Sequence, residues 1–141
     1  MITLKIARRL KAAGLAWEPA LHDFFVVPDR DLDDHVFVIS NVQVTIEHLQ
    51  GIQVVSFQGA SEWALDSLVK EEAVWLPTEE QLRQSLEAVL LGAGRPEFRL
   101  SGGLDGYRLD FTFQGRSISF KAADVSQVLA EGLLAILSQK Q

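Results

Sequence analysis

The sequence predicts an α+β fold, an antiparallel sheet of about five or six strands with about four helices packed on it. Three observations carry this. The connections between consecutive apolar runs are too short for parallel crossovers. The run Tyr107–Phe113 alternates strictly, with Tyr107, Leu109, Phe111 and Phe113 on one side and Arg108, Asp110 and Thr112 on the other. The stretch Glu71–Gly92 places a short apolar run, ending at Trp75-Leu76, directly before a capped amphipathic helix.

Each element follows from local rules. Residues 2–13 read as a helix with Ile6, Leu10 and Ala13 on one face and Gly14 as its stop. Its polar face carries Lys5, Arg8, Arg9 and Lys11. Trp17-Glu18-Pro19 is a loop, and Leu21–Val27 is a strand ended by Pro28. From Val36 to Ile46, one parity holds Val36, Val38, Val42, Val44 and Ile46. The other holds Phe37, Ile39, Asn41, Gln43 and Thr45, with Glu47 just beyond, and turns polar halfway. So long a strand bends, bulges or breaks near Ser40-Asn41. Gln50-Gly51 is a turn and Ile52–Phe57 the returning strand of a meander. Ser61 caps a helix to about Glu71, with Leu65, Leu68 and Val69 facing inward.

Pro77 ends the next extended run, since it lacks a donor and biases Leu76 toward extended geometry. Thr78 and Gln81 form a capping box, and Glu79 and Glu80 complement the positive end of the helix dipole. Leu82, Leu86, Val89 and Leu90 repeat at helical spacing, and Gly92 or Gly94 supplies the stop. Residues 97–100 are a short strand, 102–106 a glycine-rich loop, and Gln114-Gly115 a hairpin turn from which Ser117–Lys121 pairs back. Asp124 and Gln127 cap a final helix whose Val125, Val128, Leu129, Leu133, Ile136 and Leu137 make a broad apolar face. Gly132, inside that helix, marks a close-packing point.

The 141 residues suit one α+β domain, and any subdivision is expected near 92–95. Ordinary hydrophobic and charged fractions, 48% and 23%, argue against wholesale disorder. The absence of cysteine excludes disulfides, thiolate metal sites and cysteine nucleophiles. No apolar core follows the basic N-terminal residues, and no run approaches the roughly 18–20 apolar residues of a membrane span, so the chain reads as soluble and cytoplasmic.

The net charge of −6 is unevenly placed. Residues 1–17 hold four basic and no acidic side chains, residues 18–94 three and fourteen, and residues 95–141 six and five. Such an acidic middle argues against general nucleic-acid binding.

Catalytic signatures fail one by one. Asp29, Asp31 and Asp33 open like a calcium loop, but its sixth and twelfth positions, Gly and Glu in the template, are Asp34 and Ser40 here. A charged turn between strands accounts for them. His22, His35 and His48 each neighbour a carboxylate without metal-motif spacing. The 102–106 loop lacks the Gly-Lys-Ser/Thr ending of a nucleotide loop, and no Gly-x-Ser-x-Gly elbow occurs. No catalytic residue, metal or cofactor is therefore expected. Trp17, Trp63 and Trp75 read as packing residues or binding anchors, with Trp63 the better anchor.

The basic first helix, Gly14-Leu15-Ala16-Trp17-Glu18-Pro19, Asp23-Phe24-Phe25, Val38-Ile39-Ser40 and Trp75-Leu76-Pro77-Thr78 with Gln81-Leu82 together carry a resemblance. It is similar to a small bacterial family, some of whose members bear the label "pilus assembly protein CpaE", and spans roughly residues 1–90. That label implies a ParA/MinD-type ATPase, which requires a phosphate loop. The sequence contains none, so neither the activity nor any functional residue is carried over.

The expectation is a non-catalytic interaction or regulatory module, a homodimer or the binder of another protein, because a basic helix on an acidic body permits complementary docking. The alternative is a small-molecule binder or minor enzyme built on the polar half of the meander, with Asn41, Gln43, Glu47, His48 and Asp23 as its residues.

Overall fold

The computed structural model describes residues 1–28, 35–39, 44–49, 52–57, 67–69 and 72–139, the three segments between 44 and 69 by their backbone alone. Contacts divide the chain into two compact units, Met1–Leu15 with Pro77–Gln141, and Ala16–Leu76. The class is α+β, and every strand pairing among the described residues is antiparallel.

The first unit holds three helices and one sheet. Helix α1 (Leu4–Ala12) begins at Thr3, whose hydroxyl accepts the Ile6 amide at 3.2 Å, and buries Ala7 and Leu10. Gly14, at φ 98°, closes it, and the Leu15 amide donates back to the Leu10 carbonyl at 3.0 Å. This is the six-to-one bond of a glycine-terminated helix.

Helix α2 (Glu79–Gly92) forms the expected capping box. The Thr78 hydroxyl accepts the Gln81 amide at 3.3 Å, and the Gln81 side chain accepts the Thr78 amide at 2.9 Å. Leu82, Leu86 and Leu90 are fully buried. Of the two candidate stops, Gly94 is the one at positive φ (84°), and Arg95 donates to the Leu90 carbonyl.

Helix α3 (Val125–Gln139) starts where Asp124 accepts the Gln127 amide at 2.8 Å. It packs against α1, α2 and the sheet, so residues all round it are buried.

That sheet runs β7 (Phe98–Gly103), β8 (Gly106–Phe113), β9 (Arg116–Ala122), with β8 central. Leu109, Phe111 and Phe113 are buried on the side that meets α3. A Cβ on Gly132 would lie 2.6 Å from Leu109 Cδ2, so the close-packing point exists. Gln114 (φ 52°) and Gly115 (φ 77°) make the tight β8–β9 turn. The expected loop at 102–106 is shorter than the glycines suggest. Gly102 and Gly103 pair with Tyr107 and Gly106 inside the ladder, because the Tyr107 ring occupies the space a side chain at Gly102 would need.

The second unit departs further from expectation. The predicted single sheet is three separate three-stranded sheets. In this unit β1 (Phe24–Val26) lies between β2 (Phe37–Val38) and β6 (Val74–Leu76), while β3 (Val44–Leu49), β4 (Ile52–Phe57) and β5 (Ser67–Val69) form a meander. The long strand expected over 36–46 thus belongs to two sheets. Of its two parities, the one holding Phe37 and Ile39 faces inward at the start. Val36 and Val38 are 53% and 40% exposed and Ile39 is buried, because Phe37 and Ile39 pack beneath Phe25 and Trp17. The strand expected at 21–27 begins only at Phe24, since His22 (φ 74°) turns the chain.

The fourth helix, expected from Ser61 to Glu71, is corrected within its described part. Residues 67–69 are β5, with Val54, Val55 and Ser56 opposite Val69, Leu68 and Ser67. Pairing with β4 overrides a local pattern compatible with either state. Three helices and nine strands stand among the described residues.

Candidate interaction site

Asp23 is the one predicted binding residue of the second unit whose side chain is described, and it is not open to a ligand. It is 3% exposed, and its Oδ2 accepts the Trp17 indole N–H at 2.9 Å and the Ala20 amide at 3.0 Å. The carboxylate pins a loop to the core that Trp17, Phe25, Val27, Ile39 and Ala73 build. Trp17 stacks on Trp75, ring centres 6.3 Å apart and planes within 8°. Asn41, Gln43 and Trp63 lie outside the described residues. Glu47 and His48 sit in β3, opposite Val54 and Gln53. His22 and His35 are exposed, and no group of three His, Cys, Asp or Glu among the described residues is placed to hold a metal ion.

The polar face of α1 is exposed. Lys5, Arg8, Arg9 and Lys11 are all exposed on α1, opposite buried Ala7 and Leu10. Arg9 and Lys11 also complement the negative end of the helix dipole.

A second cationic surface was not expected. The face of the β7–β8–β9 sheet turned away from α3 carries a groove of about 480 Å³, lined by Arg95, Arg99, Arg108, Asp110, Ser117 and Ser119 among others. Register explains the cluster: Arg99, Asp110 and Ser119 form one cross-strand row, and Ser101, Arg108 and Lys121 the next. Arg108 and Lys121 are therefore like charges directly opposite each other, an unfavourable pairing in a sheet. Asp110 partly offsets it by accepting Arg108 Nε at 3.0 Å on both oxygens. A hydrogen bond from Ser119 does most to hold the Asp110 carboxyl below its ordinary value, and Arg108 and Arg99 add to this, against a smaller opposing effect of burial.

The signal for this surface was present in the alternation of β8. Counting outward from the Gln114-Gly115 turn places Lys121 opposite Arg108 and Ser119 opposite Asp110. Arg99 joins them only once the tight β7–β8 turn is known.

Charge also divides with the structural units. The first unit holds eleven basic and eight acidic residues, a balance of +3, and the second two and eleven, a balance of −9; together they make the −6 of the chain. Comparison with known proteins finds no matching family model, curated protein or solved structure.

Proposed function

We propose that this protein is a non-catalytic interaction module that works through protein–protein contacts, with another protein or with a second copy of itself. The observation that carries the reading is the opposition of charge between the two units, +3 and −9, within one chain. At physiological ionic strength the screening length is about 8 Å, so a partner responds to the local patch it meets rather than to the total of −6. The exposed cations of α1 and of the β7–β8–β9 sheet supply such patches.

The small-molecule alternative loses Asp23 as a ligand group, since that carboxylate is occupied by Trp17 and Ala20. Native mass spectrometry on protein purified without chelator separates the two readings. The module predicts integer multiples of the chain mass with no added ligand. A discrete extra mass on each subunit would overturn it.

A further inference from the structure

We propose that the open face of the β7–β8–β9 sheet docks an extended, carboxylate-rich polypeptide segment, with Arg99, Arg108 and Lys121 each meeting an acidic side chain. This surface presupposes the interaction-module reading and names the chemistry of its partner.

Charge comes first. Three cations share this face with Asp110 as the acid in their rows, and the groove adds Arg95 and Glu97, a balance of +2 on a chain of −6. The side chains of Arg99 and Lys121 are exposed and make no hydrogen bond or ion pair among the described residues, and the like-charged Arg108–Lys121 pair is relieved by a bridging anion. Asp110 holds the Arg108 guanidinium by Nε before any partner arrives, which lowers the ordering cost of binding.

Spacing then selects the form of the partner. Neighbouring strands lie about 4.8 Å apart and alternate residues about 6.8 Å apart, so successive cations step by roughly 5–8 Å. An extended chain presents same-side residues about 6.8 Å apart, matching that step. Nucleic acid fits less well, because the two rings that line the groove, Phe98 and Phe111, are half-buried and buried and leave no open ring face for base stacking.

The test is fluorescence anisotropy on the full chain with a labelled, end-blocked octapeptide of alternating Glu and Thr. A peptide with its four glutamates contiguous serves as control, and pyrophosphate as competitor. The alternating peptide is expected to bind at least about tenfold more tightly than the control, to weaken steeply from about 0.05 to 0.5 M salt, and to lose at least about tenfold in the Arg99→Glu/Lys121→Glu variant. Absence of binding, equal binding by the variant, or preference for pyrophosphate or the contiguous peptide would overturn the proposal. If the variant does not fold, amide shift mapping on the wild-type chain decides: shifts must cluster at 99–101, 108–110 and 117–121, and a cluster elsewhere refutes it. A dimer abolished by the same substitutions, without peptide binding, would make the occupant a second copy and refute the linear segment. Clean native masses without peptide binding remove this surface alone, whereas a retained small molecule removes the module reading itself.

Discussion

The indole of Trp17 donates to the carboxylate of Asp23 at 2.9 Å, and both residues are buried. The same oxygen accepts the Ala20 amide, so one carboxylate closes the loop between the first helix and the first strand. Asp23→Ala leaves two donors without that acceptor in the interior and is expected to cost about 1–3 kcal/mol, more for the charge-assisted share. Urea denaturation reads this directly, and a loss below about 0.5 kcal/mol would show that the bond does not hold the loop.

Trp75 presents the opposite situation within the same stack. Its Nε1 is buried and has no partner among the described residues. Trp75→Phe removes an unsatisfied donor and keeps an aromatic ring against Trp17, so it is expected to cost at least about 1 kcal/mol less than Trp17→Phe, which strips Asp23 of a donor. Paired melts of the two variants check the order.

At Gly132 two effects oppose each other. Alanine gains about 1 kcal/mol of helix propensity, but its Cβ would meet Leu109 Cδ2, and forcing a methyl into a packed core costs about 1–3 kcal/mol. Since Leu109 is fully buried and Phe111 Cε1 stands at 3.2 Å, packing outweighs propensity. Gly132→Ala is therefore expected to destabilise by about 1 kcal/mol net, and a more stable variant would show that Leu109 has room to move.

Thr78→Ala removes one half of the capping box that starts α2, with an expected loss of about 1 kcal/mol. Thr78→Ser retains the hydroxyl and should recover most of it. Chemical denaturation of the two variants side by side separates the cap from any packing of the threonine methyl.

Asp110 has a lowered carboxyl pKa in the folded chain, with the Ser119 hydroxyl as the largest cause and Arg108 next among those that lower it. A lowered carboxylate adds stability that is complete above the unfolded value and disappears as pH falls through the folded one. Ser119→Ala should therefore lie below the wild type in melting temperature at neutral pH and converge with it in acid. A gap that persists or widens in acid would assign the effect to something other than this carboxylate.

Elements whose signals lie within about six residues could be read from the sequence. The capping box of Thr78 and Gln81, the Asp124 cap, the Gln114-Gly115 turn, the glycine ending α1 and the whole of β4 occur where the residues place them. Val54 and Val55 were readable as strand residues, but their pairing with Leu68 and Val69 was not. Nothing near Ser67 states that a strand edge is waiting for it. Asp23 similarly looked like a ligand group because its acceptors' worth depends on Trp17 folding over it.

By itself the sequence determined the helix ends, the tight turns, the alternating strand at 107–113 and the exposed basic face of α1. These depend on hydrogen bonds and periodicities that close over short stretches at little entropic cost. Tertiary structure alone decided that the strands separate into three sheets, that Ile39 and not Val38 faces inward, and that Arg99, Arg108 and Lys121 share a surface. It also joined residues 1–15 to 77–141, and so divided the charge of the chain into units of +3 and −9. Each of those outcomes depends on which distant segment supplies the missing hydrogen bonds and apolar cover, and no local pattern contains that choice.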